Sequence, residues 1–320
     1  MKNILHYLVS ATKTRRHEVS QIFLRVPLRL CALVASFLSF VVLVSCKDII
    51  QIDLKKGEAL LVVDAFVNNL PSPQTIRLTF TADYFSNTST PPVLGATVSL
   101  TDLSNAKTYS FTPDGNGNYL YTPQLNDSMA QINHNYQLTI SYNGTSYTSL
   151  TKLKRTANID SISFLNSRRG FGTNKDTSNP RKFYPYLWAK DAPGAIDYYW
   201  IKTYTNNVFN NEPRQLNVSQ DDGGGQDGKP FIIPVAFFSL VSKPLYRLDN
   251  CTIEIHSITA ETYDFLSQMQ TQMTNASSGL FAVTPENVKS NISISSGSGI
   301  KAIGWFSMSA TSSKSRVAGS

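Results

Sequence analysis

Cysteine is scarce in this sequence. Only three cysteines occur among 320 residues, namely Cys31, Cys46 and Cys251. They are too few for a disulfide-rich fold. No cysteine pair and histidine pair has the spacing that binds zinc, so a structural zinc module is excluded as well.

Histidine is almost as rare, and the motifs of the common hydrolases are missing. Of four histidines, only His134 and His256 lie beyond residue 46. The sequence has no HExxH, GxSxG or GxxxxGKS motif. His134 precedes a strand in QINHNYQLT, where a loop role is favoured over that of a general base. We therefore predict that the chain is not an enzyme, and a hydrolase built on two carboxylates stays as the alternative.

The stretch CTIEIHSI predicts a strand with two unlike faces. Period-two alternation places Cys251, Ile253 and Ile255 on one face, and Glu254 and His256 on the other. The first face predicts a buried, inert thiol at Cys251. The second predicts a solvated face on which the histidine and the carboxylate make a local contact.

A hydrophobic run long enough to cross a bilayer is also missing. Residues 30–44 are apolar but about five residues short of the roughly 20 that a spanning helix needs. Six basic residues and a single acid, Glu18, precede this run. The arrangement is typical of a signal peptide, against the weaker alternatives of an uncleaved anchor and a core strand.

The end of this run, Leu43, Val44, Ser45 and Cys46, resembles the lipobox of bacterial lipoproteins. The resemblance implies that residues 1–45 are removed, that Cys46 becomes the acylated first residue, and that residues 46–56 form a lipidated tether to the bilayer. Without the leader, the 29 basic and 22 acidic residues fall to 23 and 21. This near balance gives no reason to propose nucleic acid as a partner, because such binding needs clustered basic residues that neutralise phosphates.

Alternating segments and turn residues then dominate the chain. Short runs such as ALLVVDAFV, GATVSLTD and NYQLTISY recur with turn chemistry between them, which is typical of a β-sandwich. We predict a mainly β chain with two β-sandwich-like domains in tandem, at residues 57–155 and 156–320. A short amphipathic helix at about 259–274 follows Thr259 as N-cap, and its apolar face is expected to carry Tyr263, Leu266, Met269 and Met273.

Two turn regions raise the question of a bound cation. Asp114 and its neighbours in DGNGN have alternating oxygen ligands, but a hairpin turn explains each of them. Asp221, Asp222 and Asp227 cluster around glycines. They are a candidate calcium site, but a solvated loop is the favoured interpretation.

Aromatic side chains offer another route to binding. Trp188 and Trp200 lie in the aromatic run between residues 182 and 206. Their flat faces suit stacking on a ligand. The favoured interpretation of both is nevertheless burial in the core, because alternation sends half of such rings inward and large aromatic side chains are mostly buried.

Several stretches together resemble the Bacteroidota lipoproteins grouped as domain of unknown function 4249. These are the lipobox, GEALLVVDAFVNNLPSPQTIRLTFTADYF, GATVSLTD with GNGNYLY, and PENVKSNI followed by AIGWFSMS. Residues 95–121 also resemble the transthyretin-like sandwich of carboxypeptidase-regulatory domains. The resemblance implies an outer-membrane, often surface-facing lipoprotein that is commonly encoded near TonB-dependent receptors. It implies no catalytic residue.

Two functions from different classes follow. The first is a non-catalytic surface lipoprotein that binds a glycan or peptide ligand, or assists a TonB-dependent receptor in nutrient capture. The second is an adhesin or envelope scaffold that presents loops outside the cell. No cofactor is expected, apart from the candidate calcium.

Overall fold

The computed structural model describes residues 58–82, 89–124, 129–165, 181–212, 216–220, 227–230, 244–275 and 288–319. They all belong to the unit Gly57–Ser320. The predicted signal peptide, the lipobox residues Leu43, Val44, Ser45 and Cys46, and the tether 46–56 lie outside the described residues. Within the described ranges, no helix is long and apolar enough to cross a membrane.

The described part of the chain is mainly β, which confirms the predicted fold class. Its helix, α1, spans Ala260–Asn275, within one residue of the predicted bounds. Its strands are β1 Leu61–Asn68, β2 Gln74–Phe80, β3 Thr97–Asp102, β4 Lys107–Pro113, β5 Asn118–Tyr121, β6 Asn135–Tyr142, β7 Thr145–Lys152, β8 Asn158–Leu165, β9 Tyr184–Lys190, β10 Tyr198–Thr205, β11 Val208–Phe209, β12 Asn217–Gln220, β13 Asn250–Ile258, β14 Ser293–Ser296, β15 Ala302–Ser309 and β16 Thr311–Val317.

Nine strands form one curled sheet in the order β14-β7-β6-β3-β4-β5-β2-β1-β15. Neighbours are antiparallel except β1 and β15, which run parallel. Alternating side chains fill the inside of the curl, because every second residue of a strand points to the same face. The division at residues 155 and 156 stays a prediction, and the large sheet takes strands from both of the proposed domains.

The two ends of this sheet are joined by side chains. The Asn291 amide donates to the carbonyl oxygen of Phe306 at 2.8 Å and accepts from the Phe306 N–H at 2.9 Å. The Tyr147 hydroxyl donates to the carbonyl oxygen of Ile300 at 2.8 Å. A single parallel bridge joins Lys154 and Ser309. The sheet is therefore nearly closed.

Gly304 allows β15 to lie this close to β1. Its φ is +112°, and a Cβ built there would stand 2.0 Å from the carbonyl oxygen of Val63, its partner in the parallel pair. The two residues that follow it point in opposite directions. Phe306 is buried inside the large sheet, whereas Trp305 is buried outside it, against α1.

A second sheet, β11-β10-β13-β16 with β12 also paired to β10, lies against the β8–β9 hairpin. Between them are Cys251, Ile253 and Ile255, none of which is exposed. The predicted burial of Cys251 is confirmed, and this burial raises the pKa of its thiol to about 12. The edge strand β16 is joined to β8 by Lys314 and Arg316, which donate to the carbonyl oxygens of Asp160 and Ile162.

Helix α1 begins as the sequence predicts. The N–H of Thr262 donates to the Thr259 hydroxyl at 3.2 Å, so Thr259 is the N-cap. The buried face is centred on Thr262, Phe265 and Leu266. The expected role of Met273 in that face is wrong: it is 42% exposed, because α1 packs on Trp305 through its first two turns.

Replacement of Gly304 tests the close approach of β15. We expect Gly304→Ala to lower the free energy of unfolding by about 3 kcal/mol or more, because the new Cβ collides with backbone. Gly194→Ala is the matched control: φ there is +99°, but nothing lies within 4 Å, so a loss of about 1 kcal/mol is expected. Urea denaturation measures both. Equal losses would contradict the steric argument.

Candidate ligand-binding cleft

A cleft of about 670 Å³ opens between the outer face of the large sheet and the start of α1. This volume lies within the range of small-ligand sites. One wall comes from β6, β7 and their flanks, the other from the β9–β10 loop and the β13–α1 junction, with Asn291 and Trp305 also contributing. The lining residues are Leu103, Asn135, Leu150, Thr151, Lys152, Lys154, Ile196, Asp197, Tyr198, Ile258, Thr259, Ala260, Glu261, Thr262, Asn291 and Trp305.

Exposed apolar side chains converge on the cleft from three separate elements. Leu103 is 47% exposed, Leu150 64% and Ile196 54%. Scattered single apolar residues are normal on a protein surface, but their grouping around one concavity makes this cleft the candidate binding site. Trp305 also lines the cleft; its indole N–H donates to the Thr262 hydroxyl at 3.0 Å, and its ring stacks on Phe265 at 4.5 Å.

The loop that carries Ile196 is held in place. Arg155 donates to the carbonyl oxygens of Ala192 and Pro193 at 2.6 and 2.7 Å, and forms an ion pair with Asp197 at 2.8 Å. On the other side, the N–H of Gly194 donates to the Asp227 carboxylate at 2.8 Å. A wall fixed by these four contacts needs little ordering when a ligand binds.

Two lysines, Lys152 and Lys154, and two carboxylates, those of Asp197 and Glu261, line the cleft. Asp197 is paired with Arg155, and Glu261 is engaged at the start of α1. The backbone N–H of Glu261 and then the Thr259 hydroxyl lower the pKa of the Glu261 carboxyl, with a smaller contribution from Lys154. In the described ranges, no carboxylate lies within 4.0 Å of the Lys152 or Lys154 ammonium. Lys154 acts on Glu261 at longer range, so Lys152 is the less engaged of the two lysines.

At the margin of the cleft, His134 contacts a carboxylate but no nucleophile. Its Nδ1 lies 2.8 Å from the Asp102 carboxylate. Burial would raise the pKa of Asp102, but hydrogen bonds from His134 and from the Ser104 N–H outweigh burial and lower it. Among the described residues, no hydroxyl group bonds to the other ring nitrogen. The pair stabilises the β3–β4 turn next to Leu103.

His256 is buried, so the prediction of a solvated face at Glu254 and His256 is wrong. The His256 side chain is 3% exposed and lies 2.8 Å from Glu254 and 3.0 Å from the Thr311 hydroxyl. The Trp200 ring covers it, with centroids 6.2 Å apart, and Phe66 packs on Trp200. Alternation correctly predicted that Glu254 and His256 share one face of β13. It could not predict that Trp200 and Phe66 cover this face.

Burial shifts the pKa values of this cluster. It lowers the pKa of His256 to about 4, with help from the positive charge of Lys202. It also lowers the pKa of Lys202 to about 8, against the attraction of Glu254 and Asp64. Thr311, His256 and Glu254 form a line like that of a catalytic triad, but a histidine enclosed in this way is out of reach of a substrate.

The structure places the predicted ligand-facing aromatics elsewhere. Trp188 is 50% exposed, and its indole N–H donates to the Ser163 hydroxyl at 2.8 Å. Trp200 is half-buried, with the Lys202 ammonium 4.0 Å from its ring centroid. Neither ring lines the cleft, and a ligand at either stays a prediction.

The aspartates proposed for calcium are only partly described. Asp227 accepts from Gly194, whereas Asp221 and Asp222 lie outside the described residues, so the calcium site stays a prediction. In the described ranges, no group of three or more His, Cys, Asp or Glu side chains could hold a metal ion. Asp114 accepts from the N–H groups of Asn116 and Asn118, which confirms the hairpin-turn interpretation.

Sequence reasoning missed Leu103, Leu150 and Ile196. One signal was present at Leu150. It follows Ser146 and Thr148 on the solvent-facing side of β7, where alternation predicts another polar residue. Nothing local marks Leu103 and Ile196, because both lie in turns and acquire a role only through the residues across the cleft.

The buried histidine predicts a pH-dependent stability. The pKa of His256 in the folded protein, about 4, lies below its ordinary value of 6.5, so the unfolded chain binds the proton more readily between these values. We expect the stability due to neutral His256, on the order of 3 kcal/mol, to be present above pH 6.5 and lost as the pH falls towards 4. Below that window, Glu254 adds a further loss, because its pKa is lowered.

Urea denaturation across pH 4 to 7 measures this decrease in the free energy of unfolding. His256→Gln should flatten it, whereas the control His134→Gln, which changes a side chain 22% exposed, should leave it in place. If His256→Gln loses stability with falling pH as the wild-type protein does, the decrease does not come from His256.

Comparison with known proteins identifies a family but no activity. No curated protein matches the chain. One solved structure with some similarity was determined to explain host cell surface retention of a 1.5-MDa bacterial ice-binding adhesin. It is 13% identical over 63% of this chain, the chain spans 59% of that structure, and the TM-score is 0.18, which is too low to support an argument. Residues 47–315 match the model of a family described as domain of unknown function (DUF4249). The chain therefore belongs to the DUF4249 family.

Proposed function

We propose that this protein is a non-catalytic, lipid-anchored binding protein of the outer membrane that faces the cell surface. Its cleft takes a ligand on behalf of a TonB-dependent receptor. The observation that carries this proposal is the convergence of Leu103, Leu150 and Ile196 on a cleft whose walls are already ordered. An apolar concavity with a few charged groups at its rim is the common form of a ligand site.

Three features support the anchor. Leu43, Val44, Ser45 and Cys46 match the lipobox in type and order. The family match begins at residue 47, directly after the cysteine. The tether of residues 46–56 precedes the first described residues and is long enough to separate the sheets from the bilayer surface.

The state of the two histidines supports binding rather than catalysis. His134 is committed to Asp102, and His256 is enclosed by Trp200, Glu254 and Thr311. Neither histidine lines the cleft. General acid–base chemistry in the cleft would need a positioned proton donor and acceptor. The cleft acids Asp197 and Glu261 are held in other contacts.

Replacement of Cys46 tests the anchor. We expect Cys46→Ser to abolish incorporation of labelled palmitate and to leave the leader attached, because the thioether cannot form. Cys31→Ser, within the discarded run, is the matched control and should be acylated normally. Metabolic labelling and membrane fractionation are the measurements. A Cys46→Ser protein that still carries palmitate would contradict the anchor, and protection from added protease on intact cells would contradict surface exposure.

Recovery of a receptor tests the role of the cleft. We expect full-length protein purified from detergent-solubilised membranes to carry a β-barrel receptor, and Leu150→Asp to reduce that recovery, because it places a charge on the apolar wall. Val208→Asp is the control, since Val208 is 68% exposed and lies outside the cleft.

Two results would contradict the proposal. The first is the absence of any β-barrel partner from the purified wild-type protein. The second is a deletion strain with normal uptake but impaired attachment, which would favour the adhesin or scaffold function instead.

A further inference from the structure

The solvent-facing side of the β8–β9 hairpin carries an exposed tryptophan. On its inner side, Leu187 and Ala189 of β9 pack into the core between the hairpin and the second sheet. Successive residues of a strand point to opposite faces, so Tyr186 and Trp188 lie on the outer side. Trp188 is 50% exposed. Tryptophan is highly buried on average, and this exposure is therefore unusual.

Two contacts fix the Trp188 ring over the hairpin. Its indole N–H donates to the Ser163 hydroxyl of the neighbouring strand at 2.8 Å. Paired strands lie about 4.8 Å apart, so a ring that starts on β9 and bonds to β8 lies across both strands. The ring also meets that of Tyr186, with centroids 4.9 Å apart and planes inclined by 41°. One face of the indole is thus turned to the hairpin, and the other to solvent.

A β-bulge brings polar side chains next to this ring. Ser161 pairs with Trp188, and the register shifts between Ile159 and Ser161, so Asp160 is the extra residue. The alternation of the strand is interrupted at this point, and Asp160 and Ser161 are both exposed. Lys190 follows Trp188 by two residues on the same side of β9 and is exposed as well.

The two charged groups beside the ring have few contacts of their own. The backbone carbonyl oxygen of Asp160 accepts from the Lys314 ammonium at 2.6 Å, but among the described residues its carboxylate accepts no hydrogen bond. Within the same ranges, no opposite charge lies within 4.0 Å of the Asp160 carboxylate or the Lys190 ammonium. A fixed apolar face, an acceptor and a donor are therefore grouped at one place on the surface.

We propose that the outer face of the β8–β9 hairpin, at Trp188, Tyr186 and Asp160, binds a pyranose ring of a neutral glycan. The C–H groups of the sugar stack on the exposed indole face. Its hydroxyl groups bond to the Asp160 carboxylate, the Ser161 hydroxyl and the Lys190 ammonium. None of these residues lines the cleft, so this is a second site and the inference goes beyond the proposed function.

The extent and the charge of this surface favour a sugar over a protein partner. A fully buried aromatic side chain removes about 150–250 Å² from solvent, so Trp188 and Tyr186 fall short of the roughly 800 Å² that a protein partner covers. Asp160 and Lys190 have opposite charges and together attract neither an anion nor a cation. A hydroxyl group can donate to the carboxylate and accept from the ammonium, so a neutral polyol uses both.

Titration with hexasaccharides tests the stacking face. The probes are cellohexaose, maltohexaose and mannohexaose at millimolar concentration, added to full-length protein in detergent and followed by calorimetry. We expect at least one of them to bind, and Trp188→Ala to weaken that binding about tenfold because the apolar face is lost. Trp188→Phe keeps a ring without the N–H and should lie between the two. The control Phe209→Ala removes a ring that is 37% exposed on the second sheet and should bind as the wild type does.

Replacement of Asp160 tests the polar margin. We expect Asp160→Ala to weaken binding about tenfold, because a charge-assisted hydrogen bond is lost while the backbone bond to Lys314 is kept. The control Asp264→Ala removes an exposed carboxylate from α1 and should have no effect. A further readout needs no substitution. Bound sugar should protect tryptophan fluorescence from acrylamide, because Trp188 is the most exposed of the three tryptophans.

Four results would overturn the inference. They are the absence of both heat and protection with all three sugars, binding by Trp188→Ala as tight as that of the wild type, equal binding by Asp160→Ala and Asp264→Ala, and dimerisation that Trp188→Ala abolishes. The last would assign the face to a second copy. Receptor recovery is a separate readout. A recovered receptor without sugar binding contradicts only this inference, and sugar binding without any receptor contradicts only the proposed function.

Discussion

The rest of the structure depends on the hydrogen bonds between the Asn291 amide and the backbone of Phe306. They satisfy the free edge of β15 with one side chain in place of a neighbouring strand. β15 can then stand between two cores, with Phe306 buried in the large sheet and Trp305 buried against α1. Gly304 completes the arrangement, because only a residue without a side chain can approach Val63 so closely. One strand thus fixes both sides of the molecule.

The cleft is a consequence of this way of closing the sheet. The Asn291 amide that bonds to β15 and the Trp305 side chain on β15 both line the cleft. The opposite wall carries Ile196 on a loop held by Arg155 and Asp227. The residues that close the sheet therefore also shape the cleft.

Local patterns predicted the elements and missed what joins them. Alternation gave the strands and the buried face of Cys251, and capping chemistry gave the start of α1 at Thr259. The parallel pair of Leu61 with Ala302 is separated by most of the chain, and no local period reports such a contact. The burial of His256 was missed for the same reason, since Phe66, which packs on its cover Trp200, lies in β1.

The charge of the cleft follows from where its acids are used. Glu261 is needed at the start of α1, where backbone N–H groups favour an anion, and Asp197 is needed to hold the β9–β10 loop through Arg155. Both carboxylates are thus committed to the folded structure, and Lys154 helps to stabilise the charge of Glu261. Lys152 has no carboxylate within 4.0 Å of its ammonium group among the described residues. The charge that the cleft presents is therefore set by the contacts that hold its walls.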